Sequence, residues 1–190
     1  MDRNQDRSFI AELTCNHSKM SFFEKQLNSR FFEVSELPKN IITTDDVKDP
    51  FGNGMLPVGY GENTVAPKII VHFRCYDDYY NLQILSEPYY QKYFSKNSDG
   101  ILGAFAAAGG NTTSFNLLDA NHNIITLDDL SSNTATVYLK ARNSGIIKKN
   151  IWRAPVHKYY FNDSTGDIAV FELDIFERSA RSPQHSTPYS

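Results

Sequence analysis

The nine residues KIIVHFRCY at positions 68–76 decide the fold class. Apolar side chains occupy every second position of this stretch: Ile69, Val71, Phe73 and Cys75, in alternation with Ile70, His72, Arg74 and Tyr76. Successive side chains of a β-strand point to opposite faces, so this alternation predicts a half-buried strand. The same period of two recurs toward the C-terminus.

Three hairpins are expected after this strand. The first joins residues 114–118 to 124–127, the second joins 136–142 to 146–149, and the third joins 158–161 to 167–176. The intervening turns are rich in Asn, Asp and Gly, which tolerate positive φ. Six to eight short strands of this kind predict a mainly β protein, an antiparallel β-sandwich or barrel with one or two short helices. A β-trefoil is the alternative, although no three matching repeats are visible in the sequence.

The residue pattern divides the chain into three parts. Residues 1–66 are expected to form an N-terminal extension that ends in a loop rich in Gly and Pro. Residues 67–177 are expected to form the β-domain. Residues 178–190 are polar and contain Pro, and their composition predicts a disordered tail.

Two helices are expected. Ser21 precedes Glu24 by three residues, which is a capping-box arrangement, and apolar residues then recur at helical spacing, so an amphipathic helix is predicted over about 21–35. A second, short helix is predicted to begin at Ser86, because Pro88 suits a first helical turn.

The composition excludes several classes of protein. The 190 residues suit one domain, and 19 basic against 22 acidic residues give a net charge of -3, which argues against nucleic acid as the partner. The longest apolar stretch, 101–110, has ten residues, about half the length needed to cross a bilayer. The N-terminal residues contain no apolar segment of signal-peptide type, so a cytoplasmic protein without a transmembrane segment is expected. Cys15 and Cys75 alone do not indicate a disulfide framework or a zinc site.

Catalytic signatures are missing from the sequence. No phosphate-binding loop, nucleophile elbow or zinc-protease motif occurs, and the five histidines lack metal-ligand spacing. We therefore expect no catalytic residues, no metal and no cofactor, and a protein that is not an enzyme. The alternative is an unrecognised enzymatic site around His72, Arg74 and Tyr76, which alternate onto one strand face.

A basic and aromatic surface is the predicted ligand site. Six cations and no acid occur between positions 140 and 158. Cations beside aromatic rings suit phosphates and acidic or sulfated glycans. The predicted ligand-binding residues are Tyr138, Lys140, Arg142, Lys148, Lys149 and Trp152. The alternative is a solvated strand face balanced by acids such as Glu172 and Asp174, which also share one face.

The leading functional hypothesis is a non-enzymatic binding or self-assembling structural β-protein. Its contacts would come from aromatic residues, which make up 13% of the chain, and from the Ala- and Gly-rich stretch at 101–110. The expected partner is another protein, including further copies of the chain in a homo-oligomer. A lectin- or toxin-like module for an anionic or sugar ligand is the second hypothesis, and an enzyme with an unrecognised site is the third.

Overall fold

Fourteen strands and one short α-helix make up the described part of the chain. The computed structural model of the protein describes residues 3–22, 41–43, 68–106, 112–152, 158–181 and 188–189. Helix α1 spans Arg3–Asp6. The strands are β1 Phe9–Cys15, β2 Ser18–Phe22, β3 Ile41–Thr43, β4 Ile70–Tyr76, β5 Tyr79–Ile84, β6 Tyr93–Lys96, β7 Leu102–Phe105, β8 Ser114–Leu118, β9 Ile124–Ile125, β10 Thr134–Ala141, β11 Lys148–Trp152, β12 Lys158–Asn162, β13 Asp167–Ile168 and β14 Phe171–Arg178.

Six of the strands close an antiparallel barrel, which confirms the predicted fold class. Strand β1 pairs with β14 on one side and with β4 on the other. The ring continues from β4 to β5, β8 and β10, and β10 returns to β14. Each of these strands therefore has its backbone paired on both sides, which removes the exposed sheet edge that invites aggregation.

An aromatic cluster of three side chains fills part of the barrel interior. The rings of Phe9 and Phe73 stack with their centroids 4.4 Å apart. Tyr80 meets them edge-on, at 5.7 Å from Phe9 and 6.1 Å from Phe73. All three side chains are fully buried. The Tyr80 hydroxyl accepts a hydrogen bond from the Leu127 N–H at 3.0 Å, so the polar end of this ring is satisfied in the core.

The remaining strands extend the sheet on two sides of the barrel. Beyond β1, the sheet continues through β2, β3, β12, β11 and β13 in that order. Beyond β5, it continues through β6 and β7. The two extensions meet where Ile101 bridges to Asn162 and where the Lys96 ammonium pairs with the Asp163 carboxylate.

The first part of the predicted division contributes a strand to the barrel. Strand β1 lies within residues 1–66 and occupies the barrel wall between β4 and β14. The predicted helix at 21–35 lies outside the described residues except for Ser21 and Phe22, which end β2. The loop at 49–67 lies outside them altogether.

The second predicted helix is wrong. Residues 86–92 form bends and turns that close the β5–β6 hairpin instead. The Gln91 N–H donates to the Ile84 carbonyl and the Ile84 N–H to the Lys92 carbonyl, each at 2.8 Å. Gln91 also has a left-handed φ of 64°, which a helix interior does not accommodate.

Two of the three predicted hairpins differ from the structure. The first is confirmed as β8–β9. The second is limited to a bridge between Lys140 and Ile146, after which β11 pairs with β12 and β13 rather than with β10. The third predicted hairpin does not form. Instead, the turn that follows β12 passes the end of β11 and leads into β13. Gly166 permits this path, because its φ is 103° and a Cβ there would lie 2.2 Å from the Lys149 carbonyl oxygen.

The C-terminal residues pack on the outside of the barrel. We define the C-terminal arm as residues 179–181 and 188–189. The Ala180 N–H donates to the Ser8 carbonyl and the Tyr189 N–H to the Leu85 carbonyl, both at 2.8 Å. Tyr189 also forms a parallel bridge with Ser86. These contacts differ from the disorder expected of the tail, and residues 182–187 and 190 lie outside the described part of the chain.

The arm explains why β4 is buried on both faces from Ile70 to Phe73 instead of on one. Ile10, Ile70, Leu85 and Ala180 form a small apolar cluster on the outer side of the barrel. His72 lies on the same face of β4 as Ile70 of this cluster and is 1% exposed. The alternation at 68–76 correctly predicted the strand, but a period of two cannot reveal that a distant segment covers the second face.

Candidate functional site

A groove of about 430 Å³ crosses β1, β14 and β10 on the outside of the barrel. Strand periodicity produces its lining, because the inward residues of these strands are apolar and buried while their neighbours point outward. The lining residues are Glu12, Thr14, Thr134, Ala135, Thr136, Glu172, Leu173 and Asp174. The polar ones form two rows across the three strands.

The first row places two carboxylates opposite each other. Glu12 on β1 lies opposite Asp174 on β14, and Asp174 lies opposite Thr134 on β10. Directly opposite residues on antiparallel strands have Cβ atoms about 4.5–5.5 Å apart, and like charges at that position repel. The Lys68 ammonium, 2.9 Å from the Glu12 carboxylate, offsets part of this repulsion.

The second row places one carboxylate between two hydroxyls. Glu172 on β14 lies opposite Thr14 on β1 and Thr136 on β10. The Thr14 hydroxyl donates to Glu172 at 3.1 Å, and the His17 N–H donates to its two carboxylate oxygens at 3.2 and 3.3 Å. The His17 ring nitrogen Nδ1 is 3.5 Å from the same carboxylate. The orientation of Glu172 is therefore fixed by three groups of the β1–β2 turn region.

The groove has the electrostatics of a cation-binding surface. Three carboxylates line the groove, the Lys68 ammonium pairs with Glu12, and Lys19 of β2 lies opposite Thr14 in register. The hydrogen bond and the charge of Glu12 raise the pKa of Lys68, as expected for an ammonium group beside a carboxylate. A primary amine or a guanidinium group from another molecule would meet the same kind of acceptors.

The described carboxylates are not arranged as ligands of a metal ion. Among the residues that the structure describes, no three His, Cys, Asp or Glu side chains come together in a way that could hold one. In the same part of the chain, no helix has the length and apolar character needed to span a membrane.

Three of the predicted ligand-binding residues lie on or directly after β10. Tyr138 and Lys140 alternate with buried residues of the barrel, and Arg142 follows in the turn. The Tyr138 ring meets His122 edge-on, with the centroids 5.0 Å apart. The Arg142 guanidinium carbon lies 4.0 Å from the centroid of Tyr79, within the range of a cation–π contact.

The other three lie on β11, and the structure does not bring all six to one surface. The Lys148 ammonium donates to the Ser164 carbonyl at 3.0 Å, whereas the Lys149 ammonium lies 5.0 Å from the centroid of Tyr159. The two lysines are consecutive in a strand, so they point to opposite faces. Trp152 ends β11, opposite Lys158 in register.

The trio His72, Arg74 and Tyr76 does share one face of β4, but its members differ in access to solvent. His72 is buried, while Arg74 is exposed and its guanidinium carbon lies 5.3 Å from the centroid of the Tyr76 ring. Burial lowers the pKa of His72 to about 4, so the ring is neutral near pH 7. A substrate in solvent cannot reach this imidazole while the C-terminal arm covers it.

The two cysteines are free and buried. Burial raises the pKa of Cys15 to about 12, so its thiol stays protonated and unreactive at neutral pH. The pKa of Cys75 is also raised, again mainly by burial. Both side chains act as small apolar residues of the core.

The sequence predicts two of the three strands that build the groove, β10 and β14, whereas β1 was missed. Glu172 and Asp174 were predicted to share one strand face, but only as acids that balance the charge of the basic residues. Glu12 and Thr14 also alternate with apolar neighbours in FIAELTC at positions 9–15, and this signal for a strand in the N-terminal part was missed. The pairing of β1 with β14 joins residues that are about 160 positions apart, which no local pattern reveals.

Comparison with models of protein families, with curated proteins and with solved structures finds no match to this chain.

Proposed function

We propose that the protein is a non-enzymatic binding protein that takes a basic segment of a partner protein into the groove across β1, β14 and β10. The observation that carries this proposal is the arrangement of carboxylates and threonine hydroxyls in two rows over a groove of about 430 Å³. A barrel gains no stability from placing Glu12 opposite Asp174, because the two charges repel. A bound cation would remove that repulsion.

The spacing of the rows suits an extended peptide. Glu172 and Asp174 are two residues apart on β14, and a strand rises about 3.4 Å per residue. Side chains at every second position of an extended peptide have the same separation of about 7 Å. A partner segment with Lys or Arg at alternate positions would therefore place one cation at each row, while the threonine hydroxyls of β1 and β10 supply further hydrogen bonds.

The exchange Glu172→Gln together with Asp174→Asn tests the proposal. We expect this double variant to bind a fluorescently labelled peptide of alternating Lys and Ser at least tenfold more weakly than the unchanged protein. Each lost charge-assisted contact contributes about 1.5–3 kcal/mol, and a tenfold change corresponds to about 1.4 kcal/mol. The side-chain amide that replaces the Glu172 carboxylate would still accept hydrogen bonds from Thr14 and His17, so the fold is preserved. Fluorescence anisotropy at two salt concentrations measures the affinities.

A matched control makes the same change of charge away from the groove. Glu87 and Asp99 are exposed acidic residues outside the groove lining. The variant Glu87→Gln with Asp99→Asn should bind the peptide as the unchanged protein does. Equal losses of affinity in the two double variants would mean that the peptide binds by general charge attraction. That result would refute the groove as the binding site.

Recognition of an anionic or sugar ligand is the second candidate function, and the contact of Arg142 with Tyr79 favours it. An arginine held over an aromatic ring presents its guanidinium edge to an acidic group. If this surface binds such ligands, Lys140→Gln with Arg142→Gln should elute from heparin at a clearly lower salt concentration than the control Lys19→Gln with Lys92→Gln, whose lysines are exposed elsewhere. Identical elution of the two variants would remove this candidate.

Self-assembly through the Ala- and Gly-rich stretch has less support. Within the described part of that stretch, Leu102 and Ala104 are buried in the core of the same chain. These residues contribute internal packing and offer no surface to another copy. In the described part of the chain, the exposed large apolar residues that could contact another copy are Ile124, Ile168 and Phe176.

A further inference from the structure

His72 and the C-terminal arm are joined by an unusual polar contact. The ring nitrogen Nε2 of His72 lies 3.4 Å from the Ala180 carbonyl oxygen, and the imidazole is 1% exposed. The other ring nitrogen, Nδ1, is buried and has no hydrogen-bond partner among the described residues. A buried polar atom without a partner costs roughly 1–3 kcal/mol, so an apolar residue would give a more stable barrel here.

The described residues of the arm are joined to the rest of the chain by separate contacts rather than by a strand ladder. These contacts are the backbone hydrogen bonds of Ala180 and Tyr189, the hydrogen bond from the Ser179 hydroxyl to the Asp6 carbonyl at 3.1 Å, the bridge to Ser86, and packing of Ala180 and Tyr189 on the apolar cluster. The six barrel strands, in contrast, are held by continuous ladders. A segment held without a strand ladder opens at a lower free energy than the barrel that it covers.

We propose that the C-terminal arm is an acid-sensitive cover, released from the barrel when His72 takes up a proton. A protonated imidazole needs solvent or an acceptor at both ring nitrogens, and the described residues around the covered ring provide one weak acceptor. Lifting the arm gives the ring access to water and exposes the apolar surface beneath it. The device acts apart from the groove, and its test does not depend on the proposed function.

Among the described residues, the charged groups around His72 do not stabilise the protonated ring. On its own strand Arg74 repels the imidazolium. Strand β5 places the neutral Gln83 opposite His72, and β1 places Ile10 opposite it. Beyond Ile10, β14 supplies Glu177, which is exposed to solvent and therefore screened. The arm itself contributes Arg181, a further cation.

The direction of the pH dependence follows from the pKa of the covered ring. Burial lowers the pKa of His72 from 6.5 to about 4. The closed arrangement is therefore most stable, relative to the open form, above about pH 6.5. Its relative stability decreases as the pH falls toward 4, because His72 binds the proton more tightly in the open form. If the ring regains its ordinary pKa on opening, the ratio of open to closed arm rises about 30-fold between pH 7.5 and pH 5.

Hydrogen–deuterium exchange of the full-length protein tests this inference. The exchange rate of arm amides in the unchanged protein is divided by the rate in His72→Phe at the same pH, which cancels the intrinsic effect of pH on exchange. We expect the ratio to rise by about 30-fold from pH 7.5 to pH 5. Peptides from β1, β4 and β5 should keep their protection at both pH values.

Two controls decide how the result is interpreted. His122→Gln removes an exposed histidine and should show the pH profile of the unchanged protein. If His72→Phe does not fold, His72→Gln replaces it, since Gln also cannot be protonated. A constant ratio across this pH range would overturn the inference. Parallel loss of protection in the barrel strands would also overturn it, because that result indicates global unfolding rather than release of the arm.

Discussion

Replacement of Phe73 by alanine is expected to lower the free energy of unfolding by about 3–5 kcal/mol. Phe73 is fully buried, stacks on Phe9 at 4.4 Å and meets the edge of Tyr80 at 6.1 Å. The substitution removes the transfer free energy of the ring and leaves a cavity that a closed barrel cannot collapse to fill, because hydrogen-bonded strands fix its wall on every side. Chemical denaturation followed by circular dichroism measures the change.

The same substitution on the barrel surface is the control. Phe176 is 47% exposed, and Phe176→Ala should change the free energy of unfolding by well under about 1 kcal/mol. A loss at Phe73 no larger than the loss at Phe176 would contradict the central place of the aromatic cluster in the core.

Strand periodicity was sufficient to predict the fold class. The alternation at 68–76 predicted β4, and the alternation around Val137 and Leu139 predicted β10. Both predictions hold because each strand turns one apolar face to the barrel interior. The Asn- and Asp-containing turn before Ile124 gave the β8–β9 hairpin. In each case the information lies within about ten residues, which is the range of backbone sterics and strand period.

Strand pairing was the part that local patterns could not supply. The turn at Asn143 was recognised, but β11 was assigned to the wrong partner, since after one bridge it pairs with β12 and β13. A strand joins whichever edge lies beside it once the barrel has closed. That edge is set by contacts between residues far apart in the sequence.

The candidate groove depends on the same long-range pairing. Each of its strands shows polar residues at alternate positions, as exposed strand faces commonly do. Only the register that sets Glu12 beside Asp174 turns ordinary surface acids into a charged row. The basic residues between positions 140 and 158 illustrate the converse, because a cluster in the sequence becomes separated when consecutive lysines point to opposite faces of β11.

The ion pair between Lys96 and Asp163 is expected to have the second large effect. Both side chains are only 10% exposed, and the pair joins the β6–β7 hairpin to the turn after β12. Lys96→Met should lower the free energy of unfolding by about 3–5 kcal/mol, because it leaves a nearly buried carboxylate without a cation, held by the Ser144 hydroxyl and a backbone N–H. Lys96→Met with Asp163→Leu, which removes both charges, should cost less than the sum of the single substitutions.

The pH dependence of stability and a comparison with an exposed ion pair test the same expectation. Burial acts to raise the pKa of Asp163, but the hydrogen bonds from Lys96 and Ser144 outweigh it and the pKa is lowered. The pair therefore stabilises the fold fully above the ordinary pKa of 3.8, and this contribution disappears as the pH falls through the lowered value. Lys68→Met breaks the ion pair with Glu12, and because the Lys68 side chain is 50% exposed, this substitution should cost much less than Lys96→Met. Equal losses for Lys68→Met and Lys96→Met, measured by denaturation at pH 7, would show that burial does not strengthen the pair between Lys96 and Asp163.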